Sequence, residues 1–206
     1  MTSDKILFID TETGGLNPLE NSLLSLALVV WQEFEIVDSK EILINDGVLN
    51  VTKKSLEINR INIEEHKKKA LNPHEVIKEM DNFFSLHFSI NEKITLAGHN
   101  INFDVNFLRQ FLISHNYNYS QRFSHRYVDT ATILYYLYLS GKLKEKAISS
   151  QEAFDLFGIS VDSRHTALGD AIATTRLFTT LLRIIYKNAK FKEEKEKNQP
   201  NLFEQI

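Results

Sequence analysis

Apolar positions crowd into three short runs in the first 44 residues and then change rhythm. Lys5 to Asp10 reads as a strand that ends in a Gly14-Gly15 turn followed by Asn17-Pro18. Leu23 to Trp31 and Phe34 to Ile44, rich in Leu, Val and Ile, read as two more strands joined around Gln32-Glu33, and Asn45-Asp46-Gly47 closes the block. Thr52 to Lys69 is polar and predicts one or two short helices. From Pro73 the spacing becomes helical. Asn72 caps, Glu75 supplies the third position, and Val76, Ile77, Met80, Phe83 and Phe84 form the apolar face. Lys93 to Ala97 is a short strand leading into a helix with Phe103, Phe107, Leu108, Phe111 and Leu112 on one side. Tyr127-Val128-Asp129 reads as a loop, Thr130 to Leu139 as a helix, and Ser149 to Phe157 as a capped helix ended by Gly158. A last helix is expected from about Thr166 to Asn188, with Leu177, Leu181, Ile184 and Ile185 as its core stripe. Strands first, then helices interleaved with a further strand, predict an α/β fold with a mixed sheet.

Length and composition sharpen this picture in three ways. A chain of 206 residues with 43% hydrophobic content, three Pro and seven Gly suits one densely packed domain, 1–188, followed by a charged tail, 189–206. The absence of cysteine removes disulfides and thiolate metal sites and points to a cytoplasmic setting. No segment approaches the roughly 18 apolar residues of a membrane span, so no membrane association is expected. The net charge of −3 does not exclude a nucleic-acid partner, because divalent cations bound to clustered carboxylates present a positive field to phosphate.

The chemistry rests on acids placed where acids are costly. Asp10 and Glu12 are two apart, so a strand puts both on one face. At the end of an apolar strand they need hydrogen bonds, partners or metals. Taken alone the pair is equally an ordinary exit from strand to turn. Asp104 falls in the first turn of its helix, a common place for an acid, where the Gly98-His99-Asn100 turn would project it over the strand ends. Asn100 would cap that helix or orient Asp104, and His99 reads as a turn residue. His165 and Asp170 are five apart, about 140° around a helix, so His165 belongs in the preceding loop and Asp170 in the helix. There Asp170 shares the face of Thr174, Leu177 and Leu181, and an acid on such a stripe needs a reason.

Taken together, FIDTETGGL, GHNINFDVNFL and RHTALGDAIATTRLF resemble, in order and spacing, the three motifs of the DEDDh subgroup of DnaQ-like 3′-5′ exonucleases. This subgroup includes the proofreading subunits of bacterial replicative polymerases (DNA polymerase III epsilon type), RNase T and oligoribonuclease. The resemblance implies a ribonuclease H-like fold with a central five-stranded mixed sheet flanked by helices. It also implies that Asp10, Glu12, Asp104 and Asp170 hold two divalent ions, Mg2+ or Mn2+, about 3.5–4 Å apart. His165 accepts the proton of the attacking water, and the products are 5′-mononucleotides. Gly14 departs from the family, whose proofreading members commonly carry threonine there. It offers no side chain to the terminal nucleotide while keeping a close backbone approach. Asp129 takes a supporting role, bracing the backbone of the site.

With Gly14 and Asn100, the residues Leu16, Phe103 and Arg164 are the substrate-holding candidates. Each has a plain structural reading as well, as turn packing, core or exposed surface. They suit single-stranded 3′ ends. In the tail, Gln199-Pro200-Asn201-Leu202-Phe203 resembles the short peptide by which bacterial replication proteins bind the sliding clamp. Otherwise Leu202 and Phe203 fold back on the domain. The expected function is a DNA 3′-5′ exonuclease of proofreading or repair type, with a DNA polymerase or clamp as partner. An exoribonuclease and a noncatalytic replication-complex interaction domain are the alternatives.

Overall fold

The computed structural model describes residues 4–147, 149–162 and 166–197, with side chains as far as Tyr186. Five strands, β1 (Lys5–Thr13), β2 (Leu23–Gln32), β3 (Glu35–Leu43), β4 (Ile94–Gly98) and β5 (Phe123–Asp129), form one mixed sheet in the order β3-β2-β1-β4-β5. β1, β2 and β3 pair antiparallel, while β4 and β5 run parallel to β1. The C-terminal ends of β1, β4 and β5 therefore meet at one edge of the sheet. This is the expected five-stranded architecture.

β1 is central and covered on both faces, which is why Leu7, Phe8 and Ile9 are all apolar and at most 1% exposed. Leu7 and Ile9 meet α3 (Pro73–His87) and α4 (Asn102–Ser114) through Val76, Met80, Phe84, Val105 and Leu108. On the other face Phe8, Ala27, Val29 and Ala97 meet α8 (Ala167–Lys197) through Ala167, Ala171 and Phe178. Behind α8 pack α6 (Thr130–Leu139) and α7 (Ser150–Phe157) through Leu134, Leu137 and Phe154. Two short helices, α1 (Lys53–Asn59) and α2 (Ile63–Lys69), follow β3, and α5 (Tyr119–Arg122) precedes β5. The capping box expected at Asn72/Glu75 is formed, the Ser149 cap proves to be a capping box with Glu152, and Gly158 ends α7 in a left-handed conformation at φ 63°.

Three expectations need correction. Tyr127 to Asp129, read as a loop, is the end of β5, an edge strand whose FSHRYVD sequence lacks an apolar run because only part of it is covered. The stripe of α8 ends earlier than predicted, since Ile184 and Ile185 are 37% and 38% exposed where the helix passes beyond the sheet. The helix itself runs on to Lys197 rather than about Asn188. The Lys and Glu that lower the hydropathy of that stretch are, like its Ala, strong helix formers.

The aromatic contact of α8 carries much of its docking. The Phe178 ring centroid stands 5.2 Å from both Phe8 and Trp31, and the Trp31 indole N–H donates to Thr179 Oγ1 at 2.9 Å. Phe178→Ala should cost about 3–5 kcal/mol in urea unfolding. A loss below about 1 kcal/mol would mean that other contacts hold the helix. No helix among the described residues is long and apolar enough to cross a membrane.

Candidate active site

β1 keeps its strand geometry through Thr13, so Asp10 and Glu12 share the α8 face as predicted, one and two pairs beyond Phe8. α8 brings Asp170 to them in its first turn. The three acids each offer a carboxylate oxygen within 4.8 Å of the others, and each is half-buried. Thr166 steadies that turn, accepting the Gly169 N–H on Oγ1 and the Asp170 N–H on its carbonyl, both at 3.1 Å.

The electrostatics show what such a cluster lacks. The Glu12 carboxyl is pushed up from its usual 4.5 to about 7, first by burial and then by the charges of Asp170, Glu41 and Asp104. Converging, partly desolvated carboxylates disfavour one another's ionisation, and a divalent cation reverses that balance. The donor set is all oxygen, as hard ions such as Mg2+ and Mn2+ require. These residues fit a divalent metal.

Asp104 arrives differently from the other three. It is 5% exposed and accepts the Thr11 hydroxyl at 2.7 Å, on the side of β1 opposite to Asp10 and Glu12. It stands outside the three-acid group, and burial drives its carboxyl well above the usual carboxylate range against the Thr11 hydrogen bond. Asn100 neither caps α4 with its side chain nor hydrogen-bonds to Asp104. The cap position is Ile101, which makes no side-chain hydrogen bond, and Asn100 is left-handed at φ 56°, a conformation asparagine tolerates. Its N–H donates to Asp129 Oδ1 at 2.8 Å. The same oxygen accepts the Ala131 N–H at 3.1 Å, and Oδ2 accepts the Thr132 hydroxyl at 2.7 Å. Asp129 thus ties the β4–α4 turn to the start of α6. His99 joins Thr130 Oγ1 through Nδ1 at 3.0 Å. Arg164 and His165 lie outside the described residues, as do Gln199, Leu202 and Phe203.

Residues 7–178 match the RNase T exonuclease family. The chain belongs to that family. It is 29% identical over 185 residues to ribonuclease T of Wigglesworthia glossinidia brevipalpis, covering 84% of this chain and 82% of that protein. It is 27% identical over 181 residues to the PolC-type DNA polymerase III of Thermotoga petrophila, covering 87% of this chain but 12% of the polymerase. In fold it superposes on E. coli Exonuclease I in complex with a dT13 oligonucleotide with a TM-score of 0.74, at 16% identity, covering 86% of this chain and 41% of that one. The chain therefore spans less than half of either of these larger proteins.

In this exonuclease a cleft of about 590 Å³ opens beside Glu12. Leu16, 82% exposed, stands at its rim, and the half-buried Phe103 lines it from α4. Ser55, Ile58 and Asn59 of α1 line it too. Their place in the cleft was not legible in the sequence, where residues 52–69 read only as polar helices. The signal would have been Asn59, which is 5% exposed and donates from Nδ2 to the Thr13 carbonyl at 3.2 Å. Gly14 makes its close approach to the protein's own backbone rather than to the cleft. A Cβ there would stand 2.0 Å from the Asn50 carbonyl oxygen. Glu41, also missed, is half-buried on the α8 face, and its carboxyl is pushed up by burial while a hydrogen bond from the Leu168 N–H opposes the shift.

Proposed function

We propose that the chain is a metal-dependent 3′-5′ exonuclease that hydrolyses single-stranded DNA ends to 5′-mononucleotides. The observation that carries this reading is the convergence of Asp10, Glu12 and Asp170 within 4.8 Å beside a cleft with room for a nucleotide. Asp10, Glu12 and Asp170 hold divalent cation, and Asp104, steadied by Thr11, adds the fourth carboxylate from the other side of β1. Two ions bound there supply Lewis-acid polarisation of the scissile phosphate, a lowered pKa for the attacking water and neutralisation of the departing 3′-oxygen. His165 accepts the proton from the attacking water. Leu16 and Phe103 flank the terminal base, Asn100 and Arg164 serve as further substrate-binding residues, and α1 closes the far wall.

DNA is favoured by the PolC-type polymerase and by the oligonucleotide bound to Exonuclease I. The RNase T relative supports RNA as the second reading. The test is time-resolved cleavage of 5′-labelled single-stranded DNA and matched RNA with Mg2+ or Mn2+. A ladder shortening from the DNA 3′ end is expected. Preferential RNA trimming would move the assignment to RNA processing, and no metal-dependent cleavage of either polymer would sink it. Residues 199–203 form a clamp-binding peptide in this reading, with residues 189–198 as tether. Replacing Leu202 and Phe203 by Ala should abolish clamp capture and leave cleavage of short oligonucleotides intact.

A further inference from the structure

The register of the sheet sets a buried hydroxyl beside the acids. Asp10 pairs with Ala27 and Ala27 with Glu41, and two residues along Glu12 pairs with Ser25 and Ser25 with Leu43. Directly opposed residues share a face of the sheet. Ala27 lies on the α8 face, so Ser25 and Glu12 stand side by side there. Ser25 is 1% exposed. Its hydroxyl has no hydrogen-bond partner among the described residues.

The neighbouring buried hydroxyls are paired. Thr11 donates to Asp104 Oδ1 and Thr13 to the Gly15 carbonyl, both at 2.7 Å, and Ser22 accepts the Asn50 N–H at 2.7 Å. Beside Ser25, Leu43 offers only a hydrocarbon, and Ala27, Ala167 and Ala171, fully buried on the same face, offer methyl groups. A hydroxyl buried without a partner gives up its water with no return. Alanine, present three times on this face, would fill the position without that penalty. Such a group calls for a partner supplied in another state of the protein.

Glu12 is placed to be that partner. The Cβ atoms of directly opposed strand residues stand about 4.5–5.5 Å apart, a gap that rotation of a serine and a glutamate side chain closes to hydrogen-bond length. A carboxylate has two oxygens. With one turned to a cation, the other can accept a hydroxyl, as Asp104 accepts that of Thr11 on the opposite side of β1.

We propose that Ser25 is a positioning residue for the exonuclease reaction: its hydroxyl donates to the Glu12 carboxylate when that carboxylate holds divalent cation, and so fixes which oxygen faces the ion. This rests on the reading of Asp10, Glu12 and Asp170 as the cation-holding group. Ser25 touches neither substrate nor cation. Its hydroxyl destabilises the metal-free protein and favours the loaded one, so removing it moves the two in opposite directions.

The test compares the full-length wild type with Ser25→Ala, Ser25→Thr and Ser25→Val, where threonine keeps the hydroxyl and valine matches its shape without it. Thermal unfolding in chelator, Mn2+ binding by calorimetry without nucleic acid, and steady-state cleavage are read in parallel. Metal-free Ser25→Ala should melt about 2–4 °C above wild type. It should bind Mn2+ about tenfold more weakly and lose kcat with KM for the oligonucleotide unchanged. Ser25→Thr should bind Mn2+ several-fold more tightly than Ser25→Val. Wild-type Mn2+ affinity in the alanine variant would overturn the proposal. So would equal affinity in the threonine and valine variants, since volume and not the hydroxyl would then be acting. A lower melting temperature for metal-free Ser25→Ala would overturn it as well, because the hydroxyl would already be bonded without metal. A wild type that binds Mn2+ but cuts no nucleic acid would overturn the exonuclease reading instead, while the Mn2+ comparison would still decide the role of Ser25. A wild type that binds no Mn2+ would overturn the cation-holding reading and the proposal with it.

Discussion

Glu12→Gln should abolish cleavage and, at the same time, stabilise the metal-free protein at alkaline pH. The loss of activity should reach about 10³-fold or more, because a carboxylate that holds catalytic cation is worth several kcal/mol of barrier. The gain in stability follows from the displaced carboxyl. Glu12 ionises at about 7 in the fold against an ordinary 4.5, so the folded state binds more protons than the unfolded state between those values. Stability from this group is therefore full below the ordinary carboxylate value and is lost as pH rises through about 7. At pH 8 the penalty is on the order of 3 kcal/mol, and glutamine removes it. Thermal or urea unfolding of the metal-free proteins should show the variant ahead by on the order of 3 kcal/mol at pH 8, converging with wild type near pH 5. Saturating Mg2+ or Mn2+ should lift only the wild type, since mass action rewards the state that binds. Equal stability of the two proteins at pH 8 would mean that the acids are not crowded as described.

Gly14→Thr should be nearly as damaging, for a reason unrelated to charge. The Gly14 carbonyl accepts the Thr52 N–H at 2.6 Å and the Ser55 hydroxyl at 2.7 Å, and its N–H donates to the Ser22 carbonyl at 2.8 Å. The exit of β1 is thereby bound to the segment that launches α1, the wall of the cleft. With the Asn50 carbonyl oxygen 2.0 Å from any Cβ, that segment must move away, at a cost of about 3 kcal/mol and with a large rise in KM. Gly141→Ala is the control: its φ of +71° strains alanine, but nothing lies within 4 Å, so only about 1 kcal/mol is expected. If Gly14→Thr unfolds no earlier than Gly141→Ala, the packing described here is wrong. The threonine found at this position in proofreading relatives is thus excluded by a contact within this protein.

What could be seen in the sequence was what is encoded locally. Asn72 with Glu75, the Ser149 cap and Gly158 each act within one helical turn, and all three appear as predicted. Asp10 and Glu12 were legible because strand alternation alone puts them on one face, and Asp170 because its helix stripe is otherwise apolar. The misreadings depend on partners far along the chain. β5 is a strand because β4 offers it a parallel edge, and Asn59 is buried by the β1 turn. Glu41 looked like one acid among many on a half-polar strand. Only the register through Ala27 gives it a place.

The late docking of α8 has a bearing on synthesis. Asp10 and Glu12 leave the ribosome early, but the group closes only when Asp170 folds back across the sheet. At about 5–20 residues per second, the nascent chain spends on the order of ten seconds with half of a nuclease exposed beside its own message. Throughout that interval the group lacks its third carboxylate, so any activity that depends on it waits until the α8 segment has been made.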